Sequence, residues 1–150
     1  MNSLKKASGT FKGLAGECMF RLVKKNSILT HFQPKEHAKK QLREIYNVEQ
    51  IKFLMDNWDT IDAIDIEEPK IYEIKTKSCN YGNYKIRMMA NCHNTLKKAN
   101  NLGIKPILAK IKLEEDWLYL IIESDYLKIQ KELDIIVPTK YNKPYSKILS

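Results

Sequence analysis

Two short stretches hold side chains that could do chemistry together. The first is Ile61-Asp62-Ala63-Ile64. The second is Ile71-Tyr72-Glu73-Ile74-Lys75-Thr76-Lys77. In the second, charges recur at every other position, so Glu73, Lys75 and Lys77 share one face if the segment is a strand. Two carboxylates, Asp62 and Glu73, can hold Mg²⁺, a hard cation that takes a few carboxylate oxygens plus water. The main-chain carbonyl of Ile74 could add one more oxygen. Lys75 could position a water or offset charge developing on a phosphate oxygen. The reaction class that suits this set is phosphodiester hydrolysis assisted by a metal.

The chemistry requires that these groups meet, and a hairpin would bring them together. Residues 60–77 read as two strands joined by a tight turn at Glu67-Glu68-Pro69-Lys70. A turn centred on Glu68-Pro69 pairs Ile66 with Ile71, Asp65 with Tyr72, Ile64 with Glu73 and Asp62 with Lys75. Directly paired residues share a sheet face. Asp62, Glu73 and Lys75 then share one face and Asp65 lies on the other. A one-residue slip would reverse the assignment.

The flanking elements read as follows. Ala15, Cys18, Met19, Leu22 and Val23 follow helical spacing, and Gly13 and Gly16 permit close backbone approach. "ILTHF" is a candidate short strand. Pro34 suits the first turn of a helix, and Asn47 with Gln50 predicts a capping box ahead of Ile51, Leu54, Met55 and Trp58. The stretch from Asn83 to Gly103 predicts a helix with Met88, Cys92, Leu96 and Ala99 inside. That helix would carry Arg87, Asn91, Asn94 and Lys98 on its outer face. Two strands follow around Glu115-Asp116. A short helix is predicted after Ser124 as N-cap, and residues 138–150 form a loop-like tail. The resulting class is α/β or α+β, a central mixed sheet flanked by helices in one domain, 1–150.

Charge is uneven along the chain. The 150 residues carry a net charge of +8. Residues 51–78 hold four basic and seven acidic side chains, whereas 79–112 hold seven basic and none acidic. An acidic segment beside a basic one suits a polyanion partner with a cation site, and a nucleic acid is the expected polyanion. Lys77, Arg87, Asn91, Lys97 and Lys98 are candidate nucleic-acid contacts, with Tyr81 and Tyr84 in a loop that could meet a base or sugar. Apolar runs are too short to span a membrane. Three widely spaced cysteines, Cys18, Cys79 and Cys92, suggest a reducing, intracellular setting. Cys92-His93 with Cys79, His31 or His37 lacks structural zinc spacing.

Asp62, ten residues, then Glu73-Ile74-Lys75 resembles the PD-(D/E)XK nuclease motif. The hairpin is similar to that of the archaeal Holliday-junction resolvase, restriction endonuclease and RecB-like branches of that superfamily. Ile61 stands where the usual proline precedes the aspartate. The resemblance covers residues 13–25 and 60–112 best, and residues 34–58 would be a helical insertion. It implies a restriction-endonuclease-like core of order αβββαβ and an Mg²⁺-dependent endonuclease, with Mn²⁺ able to substitute. Asp62 and Glu73 would be metal ligands, Glu17 on the first helix would complete the site, and Lys75 would act on the nucleophile or transition state. It also implies a homodimer as the arrangement that cuts two strands. The alternative is a catalytically inactive nuclease-fold module for DNA binding or assembly.

Overall fold

The computed structural model describes residues 9–77, 86–114 and 119–136. The candidate loop at Tyr81 and Tyr84, Cys79, and the tail 138–150 lie outside the described residues.

The chain is mixed α and β. Helix α1 (Gly9–Val23) leads into strand β1 (Ser27–Leu29). Helices α2 (Lys35–Leu42) and α3 (Val48–Asp56) come next, then β2 (Ala63–Asp65) and β3 (Lys70–Lys77). After these come β4 (Ile86–Met89), α4 (Ala90–Asn101), β5 (Lys105–Leu113), β6 (Tyr119–Asp125) and β7 (Leu133–Ile136). Five strands form one sheet in the order β1-β2-β3-β5-β6, while β4 and β7 form a separate two-stranded sheet. β3 and β5 pair in parallel, and every other neighbour in the large sheet is antiparallel.

Period-two burial builds a core on each face of this sheet. Tyr72, Ile74, Ile107, Ala109, Ile111 and Leu113 join Phe20 of α1 on one side. Ile64, Ile71 and Leu108 join Leu54, Leu96 and Met88 on the other. Phe20 meets Tyr72 edge-on, with ring centroids 4.8 Å apart, a preferred aromatic geometry. Gly16 lets α1 approach β3 closely, because a Cβ there would overlap the Thr76 side chain. The predicted capping box is present: Asn47 accepts from the Gln50 N–H at 2.8 Å, and Gln50 Oε1 accepts from the Asn47 N–H at 2.9 Å.

The hairpin keeps the predicted parity but is displaced by two residues. Ala63 pairs with Tyr72 and Ile64 with Ile71, instead of Ile66 with Ile71. Asp65 causes the shift. Its Oδ1 accepts from the main-chain N–H groups of Glu67 and Glu68 at 2.7 and 2.8 Å, an Asx turn that ends β2 early. Tyr46 closes the loop by donating its hydroxyl to the Asp65 carbonyl at 2.7 Å. Continuing the observed register puts Asp62 beside Glu73 instead of Lys75.

Three further expectations are corrected. Ile86–Met89 is a strand paired in parallel with β7, so Met88 and Arg87 precede the helix. Ser124 lies within β6, because β6 stays paired with β5 up to Asp125↔Ile107. Asp125 then caps a 3-10 turn, Tyr126–Lys128, accepting from the Leu127 N–H, and a second 3-10 turn follows at Gln130–Glu132, where one short α-helix was predicted. Pro34 occupies the cap position of α2, not its first turn.

Candidate functional site

The site forms where α1, the end of β1, the start of β2 and the middle of β3 come together. Thr30 fixes two of its strands. Its N–H donates to the Asp62 carbonyl at 3.1 Å, and its hydroxyl donates to the Ile61 carbonyl. Its own carbonyl accepts from the Trp58 indole N–H at 3.0 Å. These bonds hold His31, the next residue, close to Asp62.

Asp62 is anchored through its side chain. Its Oδ2 accepts from the Ile74 main-chain N–H at 2.8 Å. β2 pairing with β3 stops at Ala63↔Tyr72, so the Asp62 carboxylate continues the ladder in place of main chain. N–H and C=O of one strand residue point the same way, so the Ile74 carbonyl faces this side too.

Asp62 Oδ1 lies 4.0 Å from His31 Nδ1, which lies 2.8 Å from Glu17 Oε1. Ligand atoms of Glu17, His31 and Asp62 all fall within 4.8 Å of one another. Glu17 and Asp62 side chains are 12% and 15% exposed and His31 is 41% exposed, so the group opens to solvent on the histidine side. Glu73 is buried beside Asp62 and turns its Oε2 toward Lys75 Nζ at 3.2 Å.

The electrostatics follow from crowding acids in a half-dry place. Burial pushes the Asp62 carboxyl above its usual range; the Ile74 N–H opposes this and the Glu17 charge adds to it. Burial raises Glu73 as well, followed by the charge of Asp62, with Lys75 opposing. Burial works to lower His31, but the hydrogen bond and charge of Glu17 outweigh it, so His31 is raised above 6.5. Burial likewise opposes the Lys75 ammonium, and Glu73 more than restores it. Carboxylates that are costly to ionise together, around an imidazole, fit a divalent cation in charge and donor type.

The structure thus brings Glu17, Asp62, Glu73 and Lys75 together. The tight ligand group contains His31 where Glu73 was expected, since Glu73 is engaged by Lys75. Asp65 is excluded: it holds the turn and accepts from the Tyr72 hydroxyl at 3.2 Å. No local signal marks His31, because its place depends on β1 pairing with β2 (Leu29↔Ala63). Comparison with family models, with curated proteins and with solved structures gives no match to this chain. The arrangement has to be read from its own geometry.

The candidate nucleic-acid contacts are dispersed. Lys77 is exposed at the end of β3, and Asn91, Lys97 and Lys98 are exposed on α4. Arg87 is exposed on β4 and does not share a helix face with them. Cys92 of α4 borders the site. Burial raises its thiol to about 11, reinforced by the Glu73 charge. A cleft of about 530 Å³ opens beside His31, with Phe32 and Lys35 on its walls. A larger one, about 630 Å³, lies between α2 and α3 and includes none of these residues. Among the described residues, no helix is long and apolar enough to cross a membrane.

Proposed function

We propose that the protein is a metal-dependent DNA endonuclease with a PD-(D/E)XK-like core. The observation that carries this reading is the convergence of Asp62, Glu73 and Lys75 with Glu17 at one end of the sheet. The chain order supports it: α1, β1, β2, β3, α4 and β5 follow αβββαβ, with α2 and α3 inserted after β1 and the short strand β4, which pairs outside the large sheet, between β3 and α4. One parallel pair, β3 with β5, flanked by antiparallel strands suits the same core.

Glu17, His31 and Asp62 would hold Mg²⁺ or Mn²⁺, with Glu73 and the Ile74 carbonyl at its border. Bound there, the cation would supply positive charge against the phosphoryl oxygens and would make water a better nucleophile near neutral pH. The chain's own residues do the rest. Ile74 N–H orients the Asp62 carboxylate. Glu73 holds the Lys75 ammonium close, and Lys75 offsets charge that develops on the phosphate in the transition state. Phe32 and Lys35 flank the approach from the cleft, and the exposed, dispersed Lys77, Arg87, Asn91, Lys97 and Lys98 would meet phosphates farther out. A structure-specific or weakly sequence-specific substrate is the class we propose for it.

The test is a cleavage panel of duplex, single-stranded, flap and junction DNA with Mg²⁺ and Mn²⁺. Metal-dependent cutting is expected, and Glu73→Ala or Lys75→Ala should remove it while DNA binding persists. If both variants cut like the wild type, the site is misassigned. If the wild type binds DNA but never cuts, an inactive nuclease-fold binding module is the better description.

A further inference from the structure

β3 and β5 run parallel with Lys75 beside Lys110 and Lys77 beside Lys112. Side-chain alternation places all four on the face that carries Glu73, since Ile74, Ala109 and Ile111 go to the α1 side. β6 extends this face, pairing Ile122 with Lys110 and Leu120 with Lys112. Leu120 and Ile122 are 52% and 43% exposed. Lys77 is exposed, and Lys75, Lys110 and Lys112 are half-buried. α4 covers the opposite end of the face, because it leads back into β5 at Lys105, which pairs with Lys70.

Side-by-side lysines on adjacent strands sit about 4.8 Å apart in the hydrogen-bonding direction, and like charges so placed repel. Glu73 lies 3.2 Å from Lys75, and Glu114 lies 3.3 Å from Lys112. A sheet face does not normally gather such a ladder next to two exposed aliphatic side chains. A polyanion with an apolar component complements both features.

We propose that this face is the track for a single nucleic-acid strand leaving the site. Its phosphates lie over Lys77, Lys110 and Lys112, and its unstacked bases rest against Leu120 and Ile122. Alternate lysines along a strand are about 6.6 Å apart, comparable with the step between successive phosphates of an extended single strand. A duplex would present phosphates to the lysines but keep its bases away from β6. The inference rests on the endonuclease reading for the direction of the strand, but its test does not need cleavage.

The experiment measures binding of a labelled oligonucleotide, single-stranded or as its duplex, by fluorescence anisotropy across a salt series with EDTA present. The wild type is expected to bind the single strand more tightly. Lys110→Gln with Lys112→Gln should lower the log–log salt slope by about 1.4, two contacts at roughly 0.7 each. Leu120→Ser with Ile122→Ser should weaken single-strand binding and leave the slope alone. Lys105→Gln, exposed at the far end of β5, is the charge control and should change neither. Thermal melts establish that each variant is folded; if the double lysine variant is not, Lys112→Gln alone should lower the slope by about 0.7. An unchanged slope in the lysine variant, or an equal loss in Lys105→Gln, overturns the track. So does a polyglutamate that competes as well as DNA. Cleavage by the wild type with an unchanged slope removes the track alone, whereas a lost slope without any cleavage removes the endonuclease reading alone.

Discussion

The Asp62 carboxylate accepts a hydrogen bond from the Ile74 main-chain N–H at 2.8 Å. One side chain therefore does two jobs. It completes the β2–β3 ladder where main-chain pairing has ended, and it brings a carboxylate to Glu17, His31 and Glu73. The bond needs only an acceptor oxygen, whereas a cation site needs charge.

Asp62→Asn separates those jobs. Its amide oxygen can still accept from Ile74, and the substitution removes one of the carboxylates crowded there. The metal-free protein is therefore expected to melt at the same or higher temperature than wild type, while metal-dependent DNA cleavage is lost. Asp62→Ala should instead lose about 1–3 kcal/mol, because the Ile74 N–H is left without its acceptor. Urea unfolding of the two variants in EDTA checks the contrast. Equal destabilisation by Asn and Ala would mean that the charge, not the acceptor, holds β2 to β3.

Stability without metal should fall as pH rises. Asp62 and Glu73 have folded pKa values raised above their unfolded ones. Each contributes stability that is fully present below its unfolded pKa, near 4, and lost as pH rises through the folded value. His31 is raised as well, so its contribution is present below about 6.5 and is also lost on raising pH. The signs agree, and the decline starts above about pH 4 and runs toward neutrality. Melting temperatures in EDTA across this range test it, and Glu73→Gln should flatten the curve. A stability that climbs over the same range would show that these carboxylates are held ionised by partners.

How much of this was legible in sequence differs from one residue to the next. The shared face of Asp62, Glu73 and Lys75 was readable because strand side chains alternate, and a two-residue displacement leaves that alternation unchanged. The displacement was not readable, since it comes from Asp65 folding back on Glu67 and Glu68. Asn47 and Gln50 announced their cap because both partners lie within one turn. Ile86–Met89 misled because Met88 suits a helical stripe with Cys92 and Leu96 as well as it suits a strand. The partner that decides, Leu133–Ile136, is far away in sequence. His31 was hidden for the same reason: a three-residue β1 must first find β2.

A divalent cation should stabilise the fold in a way that depends on His31. Binding to the folded state alone adds about 2.7 kcal/mol at a hundredfold excess over Kd. Imidazole suits Mn²⁺ better than Mg²⁺, which prefers oxygen donors. The expected result is a larger melting shift with Mn²⁺ than with Mg²⁺ in wild type. In His31→Ala the Mn²⁺ shift should shrink more than the Mg²⁺ shift. The shift should also grow from pH 5.5 to 8, as protons cease to compete for the ligands. A His31→Ala protein with an undiminished Mn²⁺ shift would place the cation elsewhere.

Gly16 tests the positioning of Glu17, its neighbour in α1. A Cβ at Gly16 would run into the Thr76 hydroxyl and crowd its Cβ and Cγ2 at 2.9 Å. Thr76 Oγ1 is buried and has no hydrogen-bond partner among the described residues, so it is held by this packing alone. Gly16→Ala must push α1 off β3, at a cost of about 1–3 kcal/mol for overpacking. The same movement carries Glu17 away from His31 and Asp62, so Mn²⁺ affinity should drop with the stability. Thr76→Ala in the same chain removes two of the three crowded atoms and should restore part of both. Denaturant unfolding and Mn²⁺ titration of the single and double variants measure the coupling. If Gly16→Ala lowers stability but leaves Mn²⁺ binding intact, Glu17 does not depend on where α1 sits against β3.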